Sequence, residues 1–116
     1  FRRVLFRSDT NARMSQMVVH GNTVYLAGQV ADKPSDVQGQ TAAVLKQIDD
    51  LLARAGSSKE KILSATIYLA DIRTFGEMNK GWEAWVAKGQ GPARATVEAK
   101  LAGPEYLVEI AVIAAK

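Results

Sequence analysis

The segment Val108–Ala115 (VEIAVIAA) most limits what this chain can become. It is long enough for a strand and apolar at positions that would point to both faces of a sheet, with one charge, Glu109, set among them. Ile62–Ala70 (ILSATIYLA) is nearly as two-sided. A half-solvated strand alternates apolar and polar residues, so strands of this kind need cover on both sides.

The remaining sequence supplies two helices. One runs from Ser35, read as its N-cap, through Ala55, and Gly56 closes it. Val37, Thr41, Val44, Ile48, Leu51 and Ala55 recur along one side of it at three- and four-residue spacing. The second opens at Thr74-Phe75-Gly76-Glu77, which has capping-box spacing, and runs through Val86 with Met78, Trp82 and Trp85 on a shared face, where both Trp are read as core or interface packing. Ser57–Glu60 has the same spacing and predicts a single helical turn. Met17–His20 and Val24–Gly28 flank Gly21-Asn22 and predict a β-hairpin, followed by a turn at Lys33-Pro34-Ser35. Ala93–Ala99 and Leu107–Ala115 read as closing strands, joined by a loop around Gly103-Pro104.

The predicted order is β-β-α-β-α-β-β, an α+β domain with a mostly antiparallel sheet and two helices on one face. Two helices cover one face only. The apolar residues of the other face must be buried by something else, and subunit association is the simplest solution. The expectation is an oligomer.

At 116 residues the chain fits one domain, assigned to residues 9–116. A net charge of +3 invites a nucleic-acid reading. That surplus sits entirely on Arg2, Arg3 and Arg7, and residues 9–116 carry 12 basic and 12 acidic side chains. The segment 1–8 (FRRVLFRS) has no initiator Met, and its apolar run is far shorter than that of a signal peptide. Arg2–Ser8 resembles the translation of a short-read sequencing adapter. Residues 1–8 are therefore read as a non-native scar and left out of the fold, the alternative being a native basic first strand. No stretch approaches membrane-spanning length. The expectation is a cytoplasmic protein with neither a nucleic-acid nor a membrane partner.

The absence of cysteine excludes disulfides, thiolate metal sites and Cys nucleophiles, and the single His20 is read as a surface residue beside a turn. No phosphate loop, dinucleotide fingerprint or metal-ligand cluster is present, so no cofactor or metal is expected. Two charges in otherwise apolar strands remain. Arg94 alternates with Thr96 and Glu98 in PARATVEA, and Glu109 has apolar neighbours on both sides. An unpaired carboxylate cannot be buried there without a cost of several kcal/mol. Arg94 is the candidate partner, or the two line a shared pocket. The plain structural alternative is a strand-to-strand ion pair, or a Glu109 facing solvent. In the functional reading Arg94 binds an anionic ligand through its planar fork and Glu109 handles water or a proton. Gly28-Gln29 at a strand end brings backbone N–H groups close to a ligand in one reading and forms a bulge in the other.

Three motifs occur in order: Gly21–Gln29 (GNTVYLAGQ), Pro92–Glu98 (PARATVE) and Val108-Glu109-Ile110 before an apolar end. With Ser64–Val86 they resemble the RidA (YjgF) family of imine/enamine deaminases, in particular a shorter RidA-like bacterial branch. The resemblance covers the chain from about Ala12 onward. It implies a chorismate-mutase-like (YjgF) fold and a homotrimer with three ligand clefts between subunits. It also implies hydrolysis of small 2-imino acids (2-iminopropanoate, 2-iminobutanoate) to 2-oxo acids and ammonia without a cofactor. Carried over, the family's carboxylate-binding arginine falls on Arg94 and its water-orienting glutamate on Glu109, with Gly28 and Thr96 lining the cleft. Three positions depart from the family pattern: Met14 where the archetype has Tyr, Ala27 where it has Ser, and Thr96 where Cys is common. Each removes a polar or reactive group. A non-catalytic trimer that binds or senses small carboxylates is therefore the alternative.

Overall fold

A computed structural model describes residues 5–116. The first half of the segment 1–8 thus lies outside the described residues, whereas Leu5–Ser8 open a strand, the alternative set beside the scar reading. The elements are β1 (Leu5–Thr10), β2 (Ser15–His20), β3 (Thr23–Leu26), β4 (Gln29–Val30), α1 (Val37–Arg54), β5 (Ile62–Leu69), α2 (Phe75–Glu83), β6 (Ala93–Glu98) and β7 (Val108–Ala115). They form one mixed sheet in the order β1-β2-β3-β7-β5-β6, with β4 pairing β7 beyond β3. The fold is α+β, as the periodicity predicts, with β1 and β4 as the additions. All ladders are antiparallel except β5–β6. A parallel pair needs a crossover, and α2 supplies it.

Local chemistry moves several predicted boundaries. Asp36, not Ser35, caps α1, its carboxylate accepting from Gly39 N at 2.9 Å. At the far end Gly56 takes φ +76°. Ser57 N then donates to Leu52 O and Gly56 N to Ala53 O, a Schellman closure. Neither predicted capping box forms: the Ser57 hydroxyl donates to Ala115 O, and Thr74 makes no side-chain cap bond. The Thr74 hydroxyl instead donates to Asp71 O at 2.6 Å. Asp71 takes over as the local cap, accepting from Arg73 N in the 3₁₀ turn Ile72–Thr74. Helix α2 stops at Glu83, short of Val86. Beyond it the Trp85 carbonyl accepts from Lys59 Nζ at 2.6 Å, and the Trp85 indole N–H donates to Asp49 Oδ2 at 2.9 Å.

The cross-strand rows show where the core sits. Val19–Val24–Ala114–Ile62, Val112–Ala65–Arg94, Gln29–Ile110–Ile67–Thr96 and Val108–Leu69–Glu98 lie on one face. Their apolar members are buried with Val44, Leu45, Ile48 and Leu52 of α1 and Met78 and Trp82 of α2. The opposite face carries Val18–Tyr25–Ile113–Ser64–Ala93, Ala111–Thr66–Ala95 and Val30–Glu109–Tyr68–Val97. No helix covers it, and Tyr25, Val97 and Ile113 stand 43%, 45% and 37% exposed. This is the unpaired apolar face that the two-sided strands predict. No helix among the described residues is long and apolar enough to cross a membrane.

Two stability outcomes follow. Ile110 is wholly buried at the middle of the sheet, and Ile110→Ala should cost about 2–5 kcal/mol in urea unfolding. Arg54 holds the Asp9 carboxyl below the usual carboxylate range through a two-pronged bond at 2.9 and 3.1 Å. A depressed carboxyl contributes stability above its unfolded pKa and loses it as pH falls through the folded value. Asp9→Asn should therefore be slightly less stable than wild type at pH 7. The difference should vanish in thermal melts well below pH 4.

Candidate functional site

Arg94 and Glu109 do not pair within the chain. Their registers place them on strands separated by β5, at positions opposite Ala65 and Tyr68 respectively, and on opposite faces of the sheet. The strand-to-strand ion pair is thereby corrected, as is a pocket shared within one chain. Sequence alternation tells which neighbours share a face with each residue, but not which of two strands' faces coincide; the parallel β5–β6 register decides that.

Arg94 lies on the helix-covered face of the edge strand β6, beneath α2. Its Nη1 donates to Asn79 Oδ1 at 2.9 Å, and its guanidinium carbon stands 5.2 Å from the Trp82 ring centre and 5.8 Å from that of Phe75. Among the described residues it joins no ion pair, unlike Arg54 with Asp9 and Arg73 with Asp71. Thr96, two residues on, shares this face. Its Oγ1 is buried with no hydrogen-bond partner among the described residues. Glu98 closes the strand, accepting from Ile72 N at 3.0 Å.

Glu109 lies on the open face against the β3–β4 junction. Between Tyr25 and Gln29 that junction has one residue more than the facing segment of β7 from Ile113 to Ile110, which makes it a β-bulge. Gly28 sits in the bulge, and a Cβ there would collide with the Glu109 carboxylate. Of the two readings of Gly28-Gln29, the bulge is the one the structure contains, and the space left by the missing side chain is taken by the Glu109 carboxylate. Gln29 fixes it, donating from Nε2 to Ala27 O at 3.1 Å and to Gln16 Oε1 at 2.8 Å. Met14 lies at the β1–β2 turn, at the same end of the sheet as the bulge, with its N–H donating to Asn11 Oδ1 at 3.0 Å. It is 41% exposed.

The structure therefore gathers the candidate residues into two separate groups: Glu109 with Ala27 and Gly28, and Arg94 with Thr96. An open groove of about 590 Å³, lined by Ala70, Glu98, Lys100, Pro104 and Tyr106 among others, includes neither Arg94 nor Glu109. Among the described residues no three His, Cys, Asp or Glu side chains gather as metal ligands. Sequence reasoning missed Phe75 and Asn79. The signal was present: Phe75, Asn79 and Trp82 follow i, i+4, i+7 spacing, a stripe adjoining the one read as packing.

Comparison with known proteins bears on the whole chain. A family model described as "Endoribonuclease L-PSP" matches residues 6–116. The protein named RutC family protein YoaB from Escherichia coli K12 is 48% identical over 111 residues, covering 96% of this chain and 97% of its own. A YjgF-family protein from Neisseria meningitidis superposes with a TM-score of 0.95 at 45% identity, covering 97% of this chain and 95% of that one. An uncharacterized protein from Pseudomonas aeruginosa gives 0.93 at 41% identity, covering 97% and 99%.

The contact between Gly28 and Glu109 can be tested without a substrate. Gly28→Ala should displace the Glu109 carboxylate and cost less than about 1 kcal/mol, because only the end of a flexible side chain stands in the way. In a double-mutant cycle, adding Glu109→Ala should recover most of that loss, since it clears the space the new methyl needs. Strictly additive effects would show that the two residues are not in contact.

Proposed function

Because the chain belongs to the Endoribonuclease L-PSP family, the YjgF/RidA family, we propose that it hydrolyses small 2-imino acids such as 2-iminopropanoate and 2-iminobutanoate to 2-oxo acids and ammonia. The observation that carries this reading is an arginine that, among the described residues, has no carboxylate partner, beside a buried hydroxyl with no hydrogen-bond partner there, Arg94 and Thr96. A permanent cation with spare donors suits a small carboxylate, and an unsatisfied buried hydroxyl costs about 1–3 kcal/mol until it finds a partner.

In this reading Arg94 and Thr96 fix the substrate carboxylate, which leaves the imine carbon oriented for attack. Glu109, held over Gly28, positions a water and accepts its proton as oxygen adds to the imine carbon. The nitrogen takes up that proton, giving the carbinolamine; Glu109 then passes the carbinolamine hydroxyl proton to the amine as the C–N bond breaks and C=O forms, and ammonia leaves a 2-oxo acid. Ala27 and Gly28 supply backbone to the cleft, and Met14 gives it an apolar rim.

Since Arg94 and Glu109 lie on opposite faces of one sheet, a working cleft needs Arg94 of one subunit and Glu109 of another. A homotrimer packed through the open apolar faces supplies that arrangement, and burying Tyr25, Val97 and Ile113 there stabilises it. The family description also raises RNA as a substrate. A polyanion is held by many cations, and residues 9–116 carry no basic excess. One isolated arginine suits a small anion better.

Imine generated in situ by an amino-acid oxidase provides the direct assay. Wild type should clear it, and Arg94→Ala should lose about a hundredfold or more in rate. Equal rates would sink the proposal, and binding of 2-oxobutanoate without turnover would select the sensing alternative. Co-refolding Arg94→Ala with Glu109→Gln chains should restore activity, because each mixed trimer then contains one intact cleft. No restoration would place both residues in the same subunit's site.

A further inference from the structure

The three arginines whose side-chain partners the structure defines fall into two kinds. Arg54 and Arg73 each place their forks on an aspartate at 2.8–3.2 Å, which cancels their charge locally. Arg94 is held instead by neutral groups: two aromatic rings and one amide oxygen. We infer that Phe75 and Trp82 are positioning residues. Their rings, with the Asn79 amide, fix the Arg94 guanidinium while leaving its charge and most of its N–H donors free for an anionic ligand. This inference deepens the proposed carboxylate-binding role of Arg94 and rests on it.

The physical basis lies in how each partner binds. A carboxylate occupies the N–H edge of a guanidinium and neutralises it, competing directly with any anionic substrate. An aromatic ring attracts the same cation through its quadrupole, from the flat side, and uses none of the in-plane donors. Arg94 spends one donor atom, Nη1, on Asn79. The geometry follows from the fold: Phe75, Asn79 and Trp82 share one stripe of α2, and the β5–α2–β6 crossover lays that stripe over β6. The seat is anchored in turn. Trp82 is buried and meets Trp85 at 5.3 Å between ring centres, tilted by 58°, and the Trp85 indole is bonded to Asp49 on α1. Phe75 is 42% exposed, so it can be altered without opening the core.

The test uses the full-length oligomer. Phe75→Leu should leave the melting temperature and oligomeric state unchanged. It should raise the Kd for 2-oxobutanoate and the KM for imine about two- to fivefold, with kcat within about twofold of wild type. It should also lower the NMR order parameter of the Arg94 Nε–Hε vector. Phe75→Tyr should restore all three. Asn79→Asp places a carboxylate against the guanidinium and should weaken 2-oxobutanoate binding at least about tenfold while Arg94 stays ordered. An Arg94 order parameter indifferent to Phe75→Leu, or undiminished affinity in Asn79→Asp, would overturn the inference. The order parameter requires no turnover, so the two readings fail separately. A wild type that neither binds nor hydrolyses refutes the functional proposal, whereas a competent wild type with an indifferent Phe75→Leu refutes the seat alone.

Discussion

Strand β7 constrains everything around it. It is paired along both edges, by β3 and β4 on one side and β5 on the other, and its two faces have different fates. Val108, Ile110, Val112 and Ala114 are buried under the helices, whereas Glu109, Ala111 and Ile113 look out from the uncovered face. A carboxylate in the middle of such a sheet is tolerable only where it faces outward and its neighbours make room. Both conditions are met by one residue of surplus chain. The bulge before β4 breaks the ladder beside Glu109 and puts Gly28, with no side chain, where any Cβ would intrude.

The sequence already carried the helices, the two-sided strands and the apolar face that the helices leave uncovered, because those depend on periodicity and on the balance of apolar surface. It carried the end of α1 at Gly56 for the same local reason: a left-handed exit suits glycine. Short strands were harder. In β1 the side chains are mostly exposed and show no apolar alternation, and two-residue β4 is defined by its partner's register rather than by its own residues. The predicted caps moved because Asp36, one residue after Ser35, and Asp71, three before Thr74, offered a better acceptor than a hydroxyl, while the Ser57 hydroxyl is spent on Ala115 O.

Of the candidate site, the residue types were legible and the arrangement was not. Arg94 and Glu109 stand out in any reading, since a charge flanked by apolar strand residues needs an explanation. Whether they meet depends on strand order and on which strand runs parallel, both of which are long-range facts. The Arg94 surroundings were half visible: Trp82 was read as packing, yet it packs against the core and supports a cation at once. Its ring is large enough to do both.

The opposite placement of Arg94 and Glu109 links the two main problems this sequence poses. The open face presents uncovered apolar side chains, and Arg94 and Glu109 cannot meet within one chain. In the proposed assembly one event answers both, because the neighbour that covers Tyr25 and Ile113 brings its own edge strand β6, with Arg94, toward Glu109. Edge strands are otherwise a liability, open to adventitious pairing. Here the edge carries the arginine, its charge unspent on its own protein. A carboxylate in place of Asn79 would hold that arginine more tightly, but it would cancel the charge that the site requires. The neutral seat and the inter-subunit cleft are thus parts of one solution. Each keeps a charge unpaired within its own chain, so that a ligand rather than the protein completes the pair.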